Sequence, residues 1–188
     1  MIGVVCVADG FRASLSKTIR QYEEYIRPII GQYINGDIQP VEGTTNNKIA
    51  EKLDQLAGTD LFCIREDGLT GIASRIQTTT KNWHTFTVRK ARQSGAPTEY
   101  QKRKHAIEND LFFPKFTYQA YVTKDTGGKL IALGVVQTRD LINYIDRYNP
   151  PIKRTGRGQC GQAEFYICDW YDMMAKGIVI RGEETSED

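Results

Sequence analysis

Residues 48–77 read KIAEKLDQLAGTDLFCIREDGLTGIASRIQ, and the fold follows from how this stretch is parsed. An amphipathic segment carrying Ile49, Leu53 and Leu56 on one face ends at Gly58, after the N-cap residues Thr44-Thr45-Asn46-Asn47. An apolar run then opens with Asp60, turns at Glu66-Asp67-Gly68, and returns to end in Ser74-Arg75-Ile76-Gln77. The pattern predicts helix, strand, tight turn, strand. Antiparallel pairing is expected to bring Asp60 and Gln77 together, because positions far from a hairpin turn on either side face each other across the ladder. An aspartate beside a polar group at the lip of a sheet is a place where a divalent cation can be held against a phosphate.

Outward from that stretch, residues 83–89 alternate as a third strand, and 90–97 form a basic loop punctuated by Gly95 and Pro97. Thr98 is expected to cap a helix over 99–109 that exposes Lys102, Arg103 and Lys104. Residues 116–122 and 130–136 read as strands around the Asp125-Thr126-Gly127-Gly128 turn. Thr138 is placed as the cap of a helix over 139–148, stopped by Asn149-Pro150-Pro151. Toward the other end, residues 2–8 read as a buried strand and 13–34 as a helix divided by Pro28. Residues 164–170 and 178–180 read as short strands, and the acidic stretch 182–188 as a frayed tail.

The chain has 188 residues, 40% hydrophobic and 26% charged, with a formal net charge of +2. That length fits one α/β domain over 1–181, its core at about 46–148. Near-balanced charge gives no global sign of nucleic acid, so local clustering has to carry that case. The cysteines Cys6, Cys63, Cys160 and Cys168 form no CxxC pair, and only His84 and His105 could join them. No zinc site is therefore expected, and Cys6 and Cys63 read as buried thiols. The first residues lack the basic front of a signal peptide, and no apolar run is long enough to span a membrane. The expected setting is cytoplasmic.

Gly156-Arg157-Gly158-Gln159-Cys160-Gly161 matches GxGxxG. Dinucleotide binding needs a strand before and a helix after that motif, and here a Pro-Pro loop precedes and a strand follows. A phosphate-touching loop and a plain surface loop both remain open. His84 and His105 make no catalytic pair, and no nucleophile elbow is present. A basic segment runs through Arg75, Lys81, Arg89, Lys90, Arg92, Lys102, Arg103 and Lys104, with Glu99 almost its only acid and Trp83, His84 and Tyr100 interleaved. Such clustering suits a phosphate backbone, and a solvated face is the plain alternative.

The order helix, strand, turn, strand, strand, helix, strand over 48–122 resembles the core of the PD-(D/E)XK nuclease superfamily. Gly58-Thr59-Asp60 looks like the Gly-x-Asp that opens the second core strand in Holliday-junction-resolvase-like members, and Arg75-Ile76-Gln77 falls where the (D/E)xK triplet stands. The resemblance implies a mixed central sheet flanked by helices, restriction-endonuclease-like, with 59–64, 70–77, 84–89 and 116–122 in one sheet. It implies Mg²⁺ (or Mn²⁺) on Asp60 and a helix acid, Glu51 or Asp54, with Gln77 in the lysine position and Arg75 or Arg89 offsetting charge. Arg75 departs from the pattern, since a cation repels a metal where a second carboxylate would bind it. The implied function is a metal-dependent endonuclease or nucleic-acid-processing protein acting on phosphodiester bonds. Its expected partner is nucleic acid, DNA first, through Arg89, Lys90, Arg92, Lys102, Arg103 and Lys104; a homodimer is compatible with this and a membrane is not. The alternative is a non-catalytic nucleic-acid- or protein-binding module on the same fold.

Overall fold

The computed structural model describes residues 20–41, 58–123, 129–155 and 162–184. Glu51, Asp54, the helix expected over 46–57, the strand over 2–8, Cys6 and the glycine-rich motif at 156–161 lie outside the described residues.

The first described helix is divided as Pro28 requires. A π-helical segment, Tyr22–Ile26, leads into α1, Arg27–Tyr33, whose first turn contains the proline. Proline has no N–H to donate, and the widened π turn absorbs the missing bond. Tyr22, Ile26, Ile30 and Ile34 bury one face of this helix.

Two sheets follow. The larger has strand order β1-β2-β3-β5-β6-β9, formed by Asp37–Pro40, Leu61–Arg65, Gly68–Thr78, Pro114–Val122, Leu130–Gln137 and Ile180–Glu184. Every neighbouring pair is antiparallel except β3 and β5, which run parallel. The smaller sheet has order β4-β8-β7, from Thr85–Arg92, Ala163–Asp169 and Ile152–Arg154, and is antiparallel throughout. The mixed sheet and its helices make the α/β architecture, while the run at 84–89 corrects the expected membership. It pairs with β8 and not with β3. Parallel strands cannot be joined by a hairpin, so the chain must cross over between β3 and β5. Here β4 and helix α2, Glu99–Glu108, make that crossover. Departure from the sheet is fixed at Thr79, whose N–H still donates to Val122 O at 2.8 Å, and at His84, whose φ of +46° turns the backbone away.

Alternation along the large sheet feeds two cores. Cys63, Ile72, Tyr118, Ala120, Leu133 and Val135 pack against α1 and the π segment. Tyr121, Ala132 and Val136 face the other way, onto Phe86, Val88, Trp170 and the apolar face of α3, Thr138–Tyr148. Helix α4, Trp170–Ala175, interrupts what read as a continuation of β8. Its Trp170 fills the space over Gly134, where an added Cβ would lie 2.5 Å from the indole. Thr138 does not cap α3. Gln137 stands at the N-cap, and the Thr138 hydroxyl pairs with that of buried Thr117 at 2.8 Å. Thr98 does cap α2, in a reciprocal capping box with Gln101. The last strand, β9, extends pairing to Glu184, into the stretch read as a frayed tail. Cys63 and Cys168 are buried free thiols. Among the described residues, no helix is long and apolar enough to cross a membrane.

Candidate functional site

Asp60 stands at the head of β2, the second strand of the large sheet. Its N–H donates to Ile72 O at 3.0 Å, its carbonyl accepts from Val41 N–H at 2.9 Å, and its Oδ2 accepts from Ser74 N–H at 2.5 Å. The backbone on both sides thus fixes where the carboxylate lies. Gly58, at φ +63°, turns the chain into this strand, and its carbonyl accepts from Arg103 at 3.3 Å. Helix α2 places Glu99 in its first turn and Arg103 one turn later, on the same side. Arg75 projects from β3.

Asp60, Arg75, Glu99, Arg103, Thr117 and Gln119 are among the residues that line one cavity of about 80 Å³ between β2, β3, β5 and α2. Around it, Glu99 Oε2 accepts from Arg89 N–H at 3.0 Å, and its Oε1 lies 3.5 Å from the Arg89 guanidinium. Gln119 Oε1 accepts from the Thr87 N–H and hydroxyl at 3.1 and 3.0 Å. Arg75 stacks on Phe165 at 4.6 Å, and Arg89 lies 5.4 Å from the same ring. Burial pushes the Arg75 pKa down from its ordinary value. The charge of Glu99 opposes that push, and those of Arg89 and Arg103 add to it. An arginine nonetheless stays protonated. Two guanidiniums, of Arg75 and Arg103, therefore meet two carboxylates, of Asp60 and Glu99, around a partly desolvated space, and Arg89 joins them through its ion pair with Glu99.

Asp60 and Gln77 are not brought together. Leu61 pairs with Ile72, which sets Asp60 level with Ala73 and leaves Gln77 four residues further along β3, roughly 13 Å away. Strand β3 outruns β2, so the ladder from the turn back to Asp60 ends well before Gln77. Gln77 instead accepts from Gln119 Nε2 at 3.5 Å, so it joins the far side of the same polar network.

The basic segment is also rearranged. Arg103 is buried, against the expectation of an exposed helix face. Lys104 bonds Asp146 at 2.8 Å, and Lys90 lies 3.9 Å from Glu164. Arg89 is engaged by Glu99, Lys102 is half-buried, and Arg92 keeps a buried Nε with no hydrogen bond. The acids that answer Lys104 and Lys90 come from α3 and β8, remote in sequence. Sequence reasoning gave Glu99 no role and overlooked Gln119 and Thr117. Gln119 carried a signal: a polar residue between Tyr118 and Ala120 in an apolar strand.

Octahedral Mg²⁺ needs several oxygen donors. Among the described residues, no group of three His, Cys, Asp or Glu side chains could hold a metal ion. Asp60 and Glu99 share their cavity with two arginines, and this set does not by itself fit magnesium. No family model, no curated protein and no solved structure matches the chain.

Proposed function

We propose that this chain is a nucleic-acid-binding protein that holds the phosphodiester backbone, with one phosphate in the cavity between β2, β3 and α2. The observation that carries the reading is the pair of guanidiniums at that cavity: Arg75, desolvated by burial, and buried Arg103, beside Asp60 and Glu99. A cation removed from water is costly unless an anion meets it, and a guanidinium fork matches phosphate oxygens. Arg75 and Arg103 bind; Phe165 holds the first guanidinium and the Gly58 carbonyl the second.

Metal-dependent cleavage is the second reading, and the position of Asp60 favours it. Asp60 heads the second strand of a mixed sheet and Gln77 ends near the close of the third, in the order the nuclease resemblance implies. There Asp60 with Glu51 or Asp54 would hold Mg²⁺ or Mn²⁺, which polarises a phosphoryl oxygen when bound. Arg75 in the place of a second carboxylate favours binding without cleavage.

One experiment tests both. Labelled single-stranded and duplex DNA and RNA are incubated with the full chain at low salt, in Mg²⁺, Mn²⁺ or EDTA, and scored for retention and for cutting. Retention is expected in EDTA and should weaken about tenfold in Arg75→Ala, the loss of one charge-assisted contact. Cutting that requires a divalent ion establishes the nuclease reading, and retention without cutting the binding-module reading. No retention of any of these nucleic acids at low salt overturns the proposal.

A further inference from the structure

Helix α2 ends in a way that puts apolar side chains outside. Its C-cap is Asn109, Asp110 follows at φ +52°, and Leu111 N–H donates back to Ala106 O at 2.8 Å. This is a Schellman closure with aspartate where glycine is usual. In that motif the residue after the left-handed position commonly packs back onto the last turn. Here Leu111 is 48% exposed and Phe112 41% exposed, and Phe113 follows half-buried. Three consecutive large apolar residues, held outward by a closed turn, mark an interaction surface.

They line a groove of about 380 Å³ with Leu69 and with the cations Lys115 and Arg139. Arg139 lies 5.5 Å over the Phe113 ring and Lys115 5.8 Å over that of Phe116. None of the lining residues is acidic. The groove lies beside the phosphate cavity, and both are lined from β3. Phe112 and Thr59 both close on Gly71, where an added Cβ would lie 3.1 Å from the ring and 3.0 Å from the threonine methyl. Thr59 adjoins Asp60. On the other side the cavity residue Thr117 bonds Thr138, which sits between the groove residues Gln137 and Arg139. Gly71 and Ser74 are three residues apart on β3, roughly 10 Å.

We infer that this groove takes an unpaired base of the strand whose phosphate occupies the cavity, so that the substrate class is nucleic acid with a single-stranded segment. Phe112 offers a ring face at the surface, Leu111 and Leu69 extend it, and Lys115 and Arg139 meet the flanking phosphates. Bases inside a duplex stack on each other and cannot lie on a side chain, so an aromatic platform selects unpaired ones. A groove of acidic-peptide type would share the cations, but the closeness of the phosphate cavity along β3, within the reach of one nucleotide step or two, favours a nucleotide. This inference rests on the phosphate reading of that cavity.

The test is fluorescence anisotropy on the full chain with three probes of one base composition: a single strand, a blunt duplex, and a duplex with a single-stranded overhang. Phe112 is exposed, so its replacement spares the core. Wild type is expected to prefer the two probes with unpaired bases. Phe112→Ala should lose about tenfold on those two and little on the blunt duplex, and Phe112→Trp should recover the loss. Arg75→Ala should weaken all three alike. Equal loss across the three probes in Phe112→Ala, or no loss at all, overturns the base site and leaves the phosphate cavity standing. A labelled leucine-rich acidic peptide that binds wild type and is released by Phe112→Ala, with oligonucleotide binding unmoved, also overturns it. If wild type binds no oligonucleotide at low salt, the cavity reading and this one fall together.

Discussion

Asp60 and Arg75 carry opposite charges at one cavity, and the consequences of removing each differ in kind. Asp60 accepts from the Ser74 amide, and an asparagine oxygen can accept the same bond. Asp60→Asn should therefore leave the thermal midpoint within a few degrees of wild type. It removes a negative charge beside the arginines, so oligonucleotide affinity should rise while any divalent-dependent cutting disappears. Binding and cleavage assays on the one variant check both halves; reduced affinity would show that the carboxylate positions the arginines. Arg75 is desolvated on Phe165, and a cation taken out of water carries a desolvation cost that an apolar side chain of similar length does not. Arg75→Met should gain about 1 kcal/mol in denaturant unfolding and lose about tenfold in oligonucleotide affinity. A loss of stability instead would mean that Arg75 is structural. The sequence exposed Asp60 because an acid opening an apolar run stands out. It hid Arg103, because a basic triplet on a polar helix reads as a solvated face, and only the fold brings the Gly58 carbonyl to it.

Elements were legible where local chemistry decides them. Thr98 with Gln101 forms a capping box that needs nothing from the rest of the chain, and α2 starts where that signal lies. Thr98→Ala should cost about 1 kcal/mol, measured by urea unfolding, since it orphans the Gln101 N–H. Thr138 carried the same kind of signal, and α3 nonetheless starts from Gln137, because the Thr138 hydroxyl has a buried partner in Thr117. Tertiary contact decided that end. The short helix α4 was equally hidden, since Trp170 read as the end of a strand until Gly134 provides a seat for the indole. Gly134→Ala should destabilise by about 2 kcal/mol, as overpacking does, because the Cβ has a sheet strand on one side and Trp170 on the other. Trp170 fluorescence followed through unfolding reports it; an unchanged midpoint would mean that the indole moves aside freely.

At the scale of the molecule, alternation announces that a strand exists but not which sheet receives it. The runs at β2, β3 and β5 were legible as one sheet, whereas β4 left it because the parallel β3–β5 pair demands a crossover. The same folding redistributes charge. The cations of residues 75–104 look like a continuous basic strip in sequence, yet Glu99, Glu164 and Asp146 answer Arg89, Lys90 and Lys104 in space. On the proposed reading, the cations that meet a nucleic acid are local: the arginines of the cavity and Lys115 and Arg139 at the groove. Counterion release then gives a quantitative expectation. Each neutralised phosphate of a single strand contributes about −0.7 to the slope of log affinity against log salt. The cavity and the two groove cations together give a slope near −2 between about 50 and 200 mM salt, and the double variant Lys115→Ala, Arg139→Ala should bring it to about −1. Titration by anisotropy measures both. A wild-type slope of about −6 or steeper would mean that the ion pairs of α2, α3 and β8 open on binding, and that the strip read from the sequence is the interface after all.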